Sequence, residues 1–211
     1  MPAEIAALHD GGGPVWIFAY GSLLWDPELR DTANEPALLY GYHRRFCLLS
    51  YDYRGTAAKP GLTLGLDRGG SCRGAVLRLP AEALDRIWHR EMSGRLVYAA
   101  RLLRVQTATS ARRTLAFTAL RTCPDYAGSL PLDEAARMIL GAAGRRGTCR
   151  EYFESTLQHL EQLGFADRPL RRLAERVRAL ADAGYTEIAL QIVPGQEHAI
   201  EDWGRIRRAF A

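Results

Sequence analysis

The run from Val15 to Trp25 (VWIFAYGSLLW) is apolar almost throughout. Its β-branched and aromatic content predicts a buried strand that ends at a turn on Gly21-Ser22. Past that turn the chain resumes as Leu-Leu-Trp instead of becoming polar. Apolar side chains around a turn leave its backbone N–H groups as the available polar atoms, which suits a small anion. An ordinary strand end closed by a glycine turn is the alternative reading. Further strand patterns cover residues 38–51, 62–66, 73–79, 96–105 and 114–120, with Gly69-Gly70 turning between the second and third of these. Pro80-Ala81-Glu82 opens a helix that runs to about Met92, and later helical patterns span residues 132–141, 149–163 and 170–183, with glycines at their ends. Residues 185–193 alternate Ile188, Leu190 and Ile192, which predicts a last strand, and residues 197–210 read as a closing helix. Strands come early and helices late, without regular βαβ alternation or an internal repeat. That order points to an α+β fold around a mainly antiparallel sheet or barrel.

One helical position breaks its own pattern. In the helix over residues 81–92, Leu84, Ile87, Trp88 and Met92 share a face, and Glu91 falls seven residues after Leu84 on that face. At this spacing an apolar side chain is expected. A carboxylate there either pairs with a cation, with Arg90, Arg95 and Arg101 in reach, or holds a raised pKa and works as an acid or base.

Length and composition set the limits. The 211 residues suit one domain with a sizeable core. Residues 1–14, ending in Gly11-Gly12-Gly13-Pro14, read as a flexible leader; residues 15–184 read as the domain, and residues 185–211 as an extension packed on it. The net charge of +4 invites a nucleic-acid reading, but Lys59 is the only lysine and the arginines are dispersed, with no run longer than two. The charge therefore reads as mild help for an anionic small molecule, not a nucleic-acid stripe. The four cysteines form no Cys-x-x-Cys pair, which argues against a zinc ribbon or redox dithiol. With no signal peptide or membrane-spanning run, they read as reduced thiols of a cytoplasmic protein.

Several chemical motifs fail. His89-Arg90-Glu91 begins like a zinc deaminase, but no Pro-Cys-x-x-Cys follows. Ser22 lies outside a Gly-x-Ser-x-Gly elbow, and the five histidines have no metal spacing. The loop over residues 54–61 lacks the Gly-Lys-Ser/Thr of a P-loop. Its Arg54 is suited to a single carboxylate, or is a surface arginine on a solvated turn.

An ordered set of motifs resembles the ChaC-like γ-glutamylcyclotransferases. It consists of Phe18-Ala19-Tyr20-Gly21-Ser22-Leu23-Leu24-Trp25, Gly41-Tyr42-His43-Arg44-Arg45-Phe46, Arg54-Gly55-Thr56 with Pro60-Gly61, Arg90-Glu91-Met92, Tyr126-x-Gly128 and Glu151-Tyr152-Phe153. The resemblance covers about residues 15–165. It implies a small mixed, mainly antiparallel β-barrel flanked by helices, and a lyase that cleaves the γ-glutamyl amide of glutathione to 5-oxoproline and Cys-Gly by attack of the substrate's own α-amine. It also implies a γ-glutamyl cradle from Ile17, Phe18, Ala19, Tyr20, Gly21, Ser22 and Leu23, and Glu91 as general acid/base. Arg54, Tyr126 and Tyr152 are further implied contacts. The partner implied is glutathione or another γ-glutamyl peptide, with no cofactor, metal, nucleic acid or membrane. The chain departs from many relatives at Met92-Ser93-Gly94, where they carry a Gly-Gly-Tyr type of turn, and at Cys149, where they often carry Asn. A non-catalytic or differently specific γ-glutamyl binder of the same fold is the competing expectation. Either way, Tyr20-Gly21-Ser22 and Glu91 are expected to face each other across one pocket.

Overall fold

A computed structural model describes residues 1–29 and 32–184. Helix α1 (Ala3–Asp10) precedes β1 (Val15–Ala19), two short 3₁₀ turns (Ser22–Trp25 and Pro27–Leu29), β2 (Asn34–Ser50), β3 (Gly61–Leu79) and α2 (Ala83–Met92). Strands β4 (Tyr98–Thr107) and β5 (Ala111–Ala119) follow, then α3 (Leu132–Gly141), a two-residue hairpin at Ala143–Gly144 and Gly147–Thr148, α4 (Cys149–Gln162) and α5 (Arg168–Asp182). The five main strands close a barrel in the order β1-β3-β2-β4-β5. Neighbouring strands pair antiparallel except at the closure, where β1 meets β5 in parallel at Ile17 and Leu115. The architecture is the expected mixed barrel flanked by helices.

The unbroken apolar run of β1 has a simple cause. Successive side chains of a strand point to opposite faces, and here both faces are covered. Val15, Ile17 and Ala19 pack with α1, α2 and β5, whereas Phe18 enters the second cluster, with the barrel interior and α3 to α5.

Two expectations are corrected. Residues 62–66 and 73–79 are not separate strands turned at Gly69-Gly70; they are one 19-residue strand, β3. The pair Tyr40–Ser71 gives way to Tyr42–Arg68, so Gly69 and Gly70 oppose the single residue Gly41, and all three glycines have positive φ. Positive-φ glycines serve a β-bulge as readily as a turn, and apolar residues on either side look the same in both cases. Residues 1–14 were expected to be a leader outside the fold, yet they contain α1. Its Ile5 is 3% exposed and Leu8 packs beside it, because an i, i+3 apolar pair gives even a short helix one face to bury. The strand expected over 185–193, the helix over 197–210 and the packing of residues 185–211 lie outside the described residues.

Candidate active site

Tyr20, Gly21, Ser22 and Leu23 line one small cavity of about 30 Å³ together with Glu91, Leu64, Tyr98, Phe117 and Tyr152. Six elements deliver these groups: the turn after β1, then β3, α2, β4, β5 and α4. Strand β1 runs into the turn, where Leu24 N–H donates to Gly21 O at 2.8 Å. The first amides of such a turn, those of Ser22 and Leu23, have no partner within it. Gly21 lies against β3, and a Cβ there would sit 3.1 Å from Leu64 Cδ2. Buried Arg44 on β2 donates from Nε to Tyr20 O at 2.5 Å and so fixes where the strand ends.

In α2, Leu84 and Ile87 are buried in the core, and Glu91 extends their face by one turn, where the apolar neighbours end. The capping box of α4 sets Tyr152: Glu151 N–H donates to Thr148 Oγ1 at 3.1 Å, and Thr148 N–H donates to Glu151 Oε2 at 2.9 Å. That lock places the next residue, Tyr152, at the cavity.

Glu91 is 14% exposed. Burial pushes its carboxyl above the ordinary carboxylate range; Arg90, with Nε 3.1 Å from Glu91 Oε1, opposes that rise, and Asp26 reinforces it. The two sequence readings of Glu91, ion pair and raised pKa, therefore hold together. Of the other sequence candidates for its partner, Arg95 pairs with Asp125 instead. Around Glu91 stand three phenols. Burial keeps Tyr20 and Tyr98 protonated far above neutral pH and pushes Tyr152 up to about 12. Tyr20 O–H donates to Phe117 O at 2.9 Å, and Tyr98 O–H donates to Leu64 O at 3.2 Å. With their protons committed to the main chain, these two oxygens keep lone pairs free as acceptors.

The other candidates stand apart from the cavity. Ile17, Phe18 and Ala19 are fully buried strand residues that position Tyr20 without lining the site. Arg54 gives its Nη1 to Arg146 O at 2.5 Å and Thr148 O at 3.3 Å, and its guanidinium lies 5.1 Å from the Tyr152 ring centre, so it reaches the cavity only through that ring. In its loop, a Cβ on Gly55 would overlap Gly61 N, which makes the glycines requirements of close backbone approach. Tyr126 donates its O–H to Asp67 at 2.9 Å and does not line the cavity. Conversely, Leu64, Tyr98 and Phe117 line it without having been singled out. Tyr98, a polar-tipped aromatic opening a strand just past the Glu91 helix, was the readable signal among them. A larger cleft of about 400 Å³ lies on the far side of Leu23, and its one carboxylate, Asp26, is held by Arg90. Volume does not mark the candidate site; the poorly partnered carboxylate does. Among the described residues, no group of three or more His, Cys, Asp or Glu side chains is placed to share a metal ion.

The class so defined is a small closed barrel with one acid at a tyrosine-lined cavity. The ChaC-like protein family matches residues 15–180, and this chain belongs to it. A glutathione-specific γ-glutamylcyclotransferase of Escherichia coli (strain K12) is 35% identical over 194 residues, spanning 90% of this chain and 84% of that protein. γ-Glutamylcyclotransferase 2-3 of Arabidopsis thaliana is 30% identical over 78% of this chain and 88% of its own length. In fold, the chain superposes on a glutathione-specific γ-glutamyl cyclotransferase from yeast with a TM-score of 0.70, covering 79% of this chain and 99% of that one at 21% identity.

Proposed function

We propose that this protein cleaves the γ-glutamyl amide of glutathione, with Glu91 as general acid and base. The observation that bears most weight is a largely buried carboxylate, sharing one arginine, that faces an apolar turn whose first amides have no partner within the turn. In the reaction the substrate's α-amine attacks its own γ-carbonyl carbon. A C–N bond forms the five-membered ring of 5-oxoproline, and the amide C–N bond to cysteine breaks to release Cys-Gly. Holding the flexible γ-glutamyl chain folded makes this closure effectively unimolecular, so positioning contributes much of the rate.

The amine reacts only as the free base. Its reference pKa is about 7.7–8.0 against about 4.3 for an ordinary Glu, a mismatch of about 3.5 pH units or ~5 kcal/mol. Raising the Glu91 pKa narrows that gap. Glu91 takes a proton from the attacking amine and returns one to the departing nitrogen. The acceptor oxygens of Tyr20 and Tyr98 suit the α-ammonium group, while the Ser22 and Leu23 amides suit the α-carboxylate or the developing oxyanion. Tyr152 closes the cavity wall, and Arg54 steadies that ring from outside.

The mechanism asks for no metal or organic cofactor, and the reading needs only a small-molecule partner. Pairing of Arg45, Arg95, Arg121 and Arg176 with carboxylates fits a chain that uses its arginines internally, not on nucleic acid. Four free cysteines fit a reducing, cytoplasmic setting.

Incubation of the purified protein with glutathione, with both products quantified, tests the reading. Equal amounts of 5-oxoproline and Cys-Gly are expected, and no 5-oxoproline overturns it. Parallel incubations with other γ-glutamyl dipeptides set the substrate range; 5-oxoproline from those alone assigns the chain to the competing, differently specific reading.

A further inference from the structure

Arg90 serves three acceptors from two segments that are far apart in sequence. Its Nε lies 3.1 Å from Glu91 Oε1, its Nη2 donates to Ser22 Oγ at 2.7 Å, and its Nη1 pairs with the Asp26 carboxylate. Ser22 opens the turn that lines the cavity and Asp26 caps its far end. One guanidinium therefore ties both ends of that turn to α2, beside the carboxylate. Lysine has a single ammonium and cannot reproduce this planar, three-way arrangement.

We propose that Arg90 is a positioning residue that clamps the Ser22–Trp25 turn onto α2 and, with Asp26 as its counter-charge, sets how tightly Glu91 holds its proton. The inference rests on the reading of Glu91 as acid and base. A lone arginine against a buried carboxylate favours the charged form and makes a weak base. Here Asp26 shares the same guanidinium and cancels part of its field at Glu91. The remaining titratable groups facing Glu91 are Tyr20 just past β1, Tyr98 from β4 and Tyr152 from α4, all neutral phenols. Arg90 and Asp26 are thus the formal charges that act on it among the described residues. The clamp and the tuning belong to one side chain, so positioning the turn also sets the proton affinity.

The test follows the Glu91 carboxyl carbon by ¹³C NMR through a pH titration in wild type, Arg90→Gln, Asp26→Asn and Arg90→Lys. Arg90 is 37% exposed and Asp26→Asn keeps the side chain's shape, so all four proteins are expected to fold, as their unfolding transitions would verify. Arg90→Gln should move the Glu91 midpoint up, Asp26→Asn should move it down, and Arg90→Lys should leave it near wild type. With glutathione as substrate, Arg90→Gln and Arg90→Lys should both raise KM by about 10-fold, since charged hydrogen bonds to the turn are lost. Midpoints that stay put, or that move the same way in Arg90→Gln and Asp26→Asn, overturn the tuning; an unchanged KM in Arg90→Lys overturns the clamp. Absence of 5-oxoproline from wild type counts against the proposed activity instead, and the titration is read regardless.

Discussion

Glu91 and Asp67 are both withdrawn from solvent, and the protein treats them in opposite ways. Asp67, on β3, has a side chain with 0% exposure. Burial pushes its pKa up, but hydrogen bonds from Arg121, from Tyr126 O–H at 2.9 Å and from Arg68 N–H at 2.9 Å outweigh it and hold the carboxyl below its ordinary range. Arg45 adds an ion pair at 3.2 Å. Glu91 is the more exposed of the two, at 14%, yet its pKa is raised, because it has one shared arginine and is otherwise walled by apolar groups and phenols. Both carboxyls carry a burial penalty; at Asp67 several hydrogen-bond donors overcome it, and at Glu91 one shared arginine does not.

The sharpest way to break this contrast is to move the Glu91 carboxylate without removing it. Glu91→Asp keeps the charge and withdraws it by one methylene; kcat for 5-oxoproline release should fall by about 100-fold, with KM little changed. Asp67→Asn should do the reverse. It leaves two half-exposed arginines short of a counter-charge and lowers the unfolding free energy by about 2–3 kcal/mol in denaturant titration. The kcat of its folded fraction should remain within about threefold of wild type, as expected of a site outside the chemistry. Tyr98→Phe takes one acceptor oxygen from the cavity and leaves Leu64 O without its donor, so kcat/KM should drop by about 10-fold.

The smallest effect is on stability against pH. A carboxyl whose pKa is raised by folding costs nothing below its ordinary value of 4.5, where both states are protonated. As pH climbs through the window up to the raised native value, the unfolded chain releases its proton first and stability falls; above the window the whole cost persists. Glu91→Gln should therefore be slightly more stable than wild type at neutral pH, and that gain should vanish in acid. Asp67, lowered on folding, contributes in the opposite sense. Its stabilisation is present above the ordinary value of 3.8 and is lost as pH falls through the native one.

Much of this contrast is written in the chain. The β1 run was readable because a strand buried on both faces has no polar alternation, and Glu91 because a single acid interrupts an i, i+3, i+4, i+7 face. Asp67 was not readable, since its donors Arg45, Arg121 and Tyr126 come from β2 and from the segment after β5, and only barrel closure brings them together. The Gly69-Gly70 bulge was hidden by its likeness to a turn. Arg54 reads in sequence as a ligand for a carboxylate; in the fold its Nη1 donates to carbonyls of the hairpin between α3 and α4, a contact local pattern does not reveal. Arg90 was visible only as the neighbour of Glu91; its reach to Ser22 and Asp26 depends on how α2 lies against the turn. Local patterns give element and face, whereas side-chain partners that are distant in sequence need the fold.

The most direct test of the central claim is the rate of 5-oxoproline release from glutathione by Glu91→Gln, with folding of the same sample verified by its unfolding transition. A protein at least as stable as wild type and slower by about 1000-fold is expected, within the range lost with a general acid/base. A folded Glu91→Gln protein that turns over glutathione at close to the wild-type rate contradicts the claim.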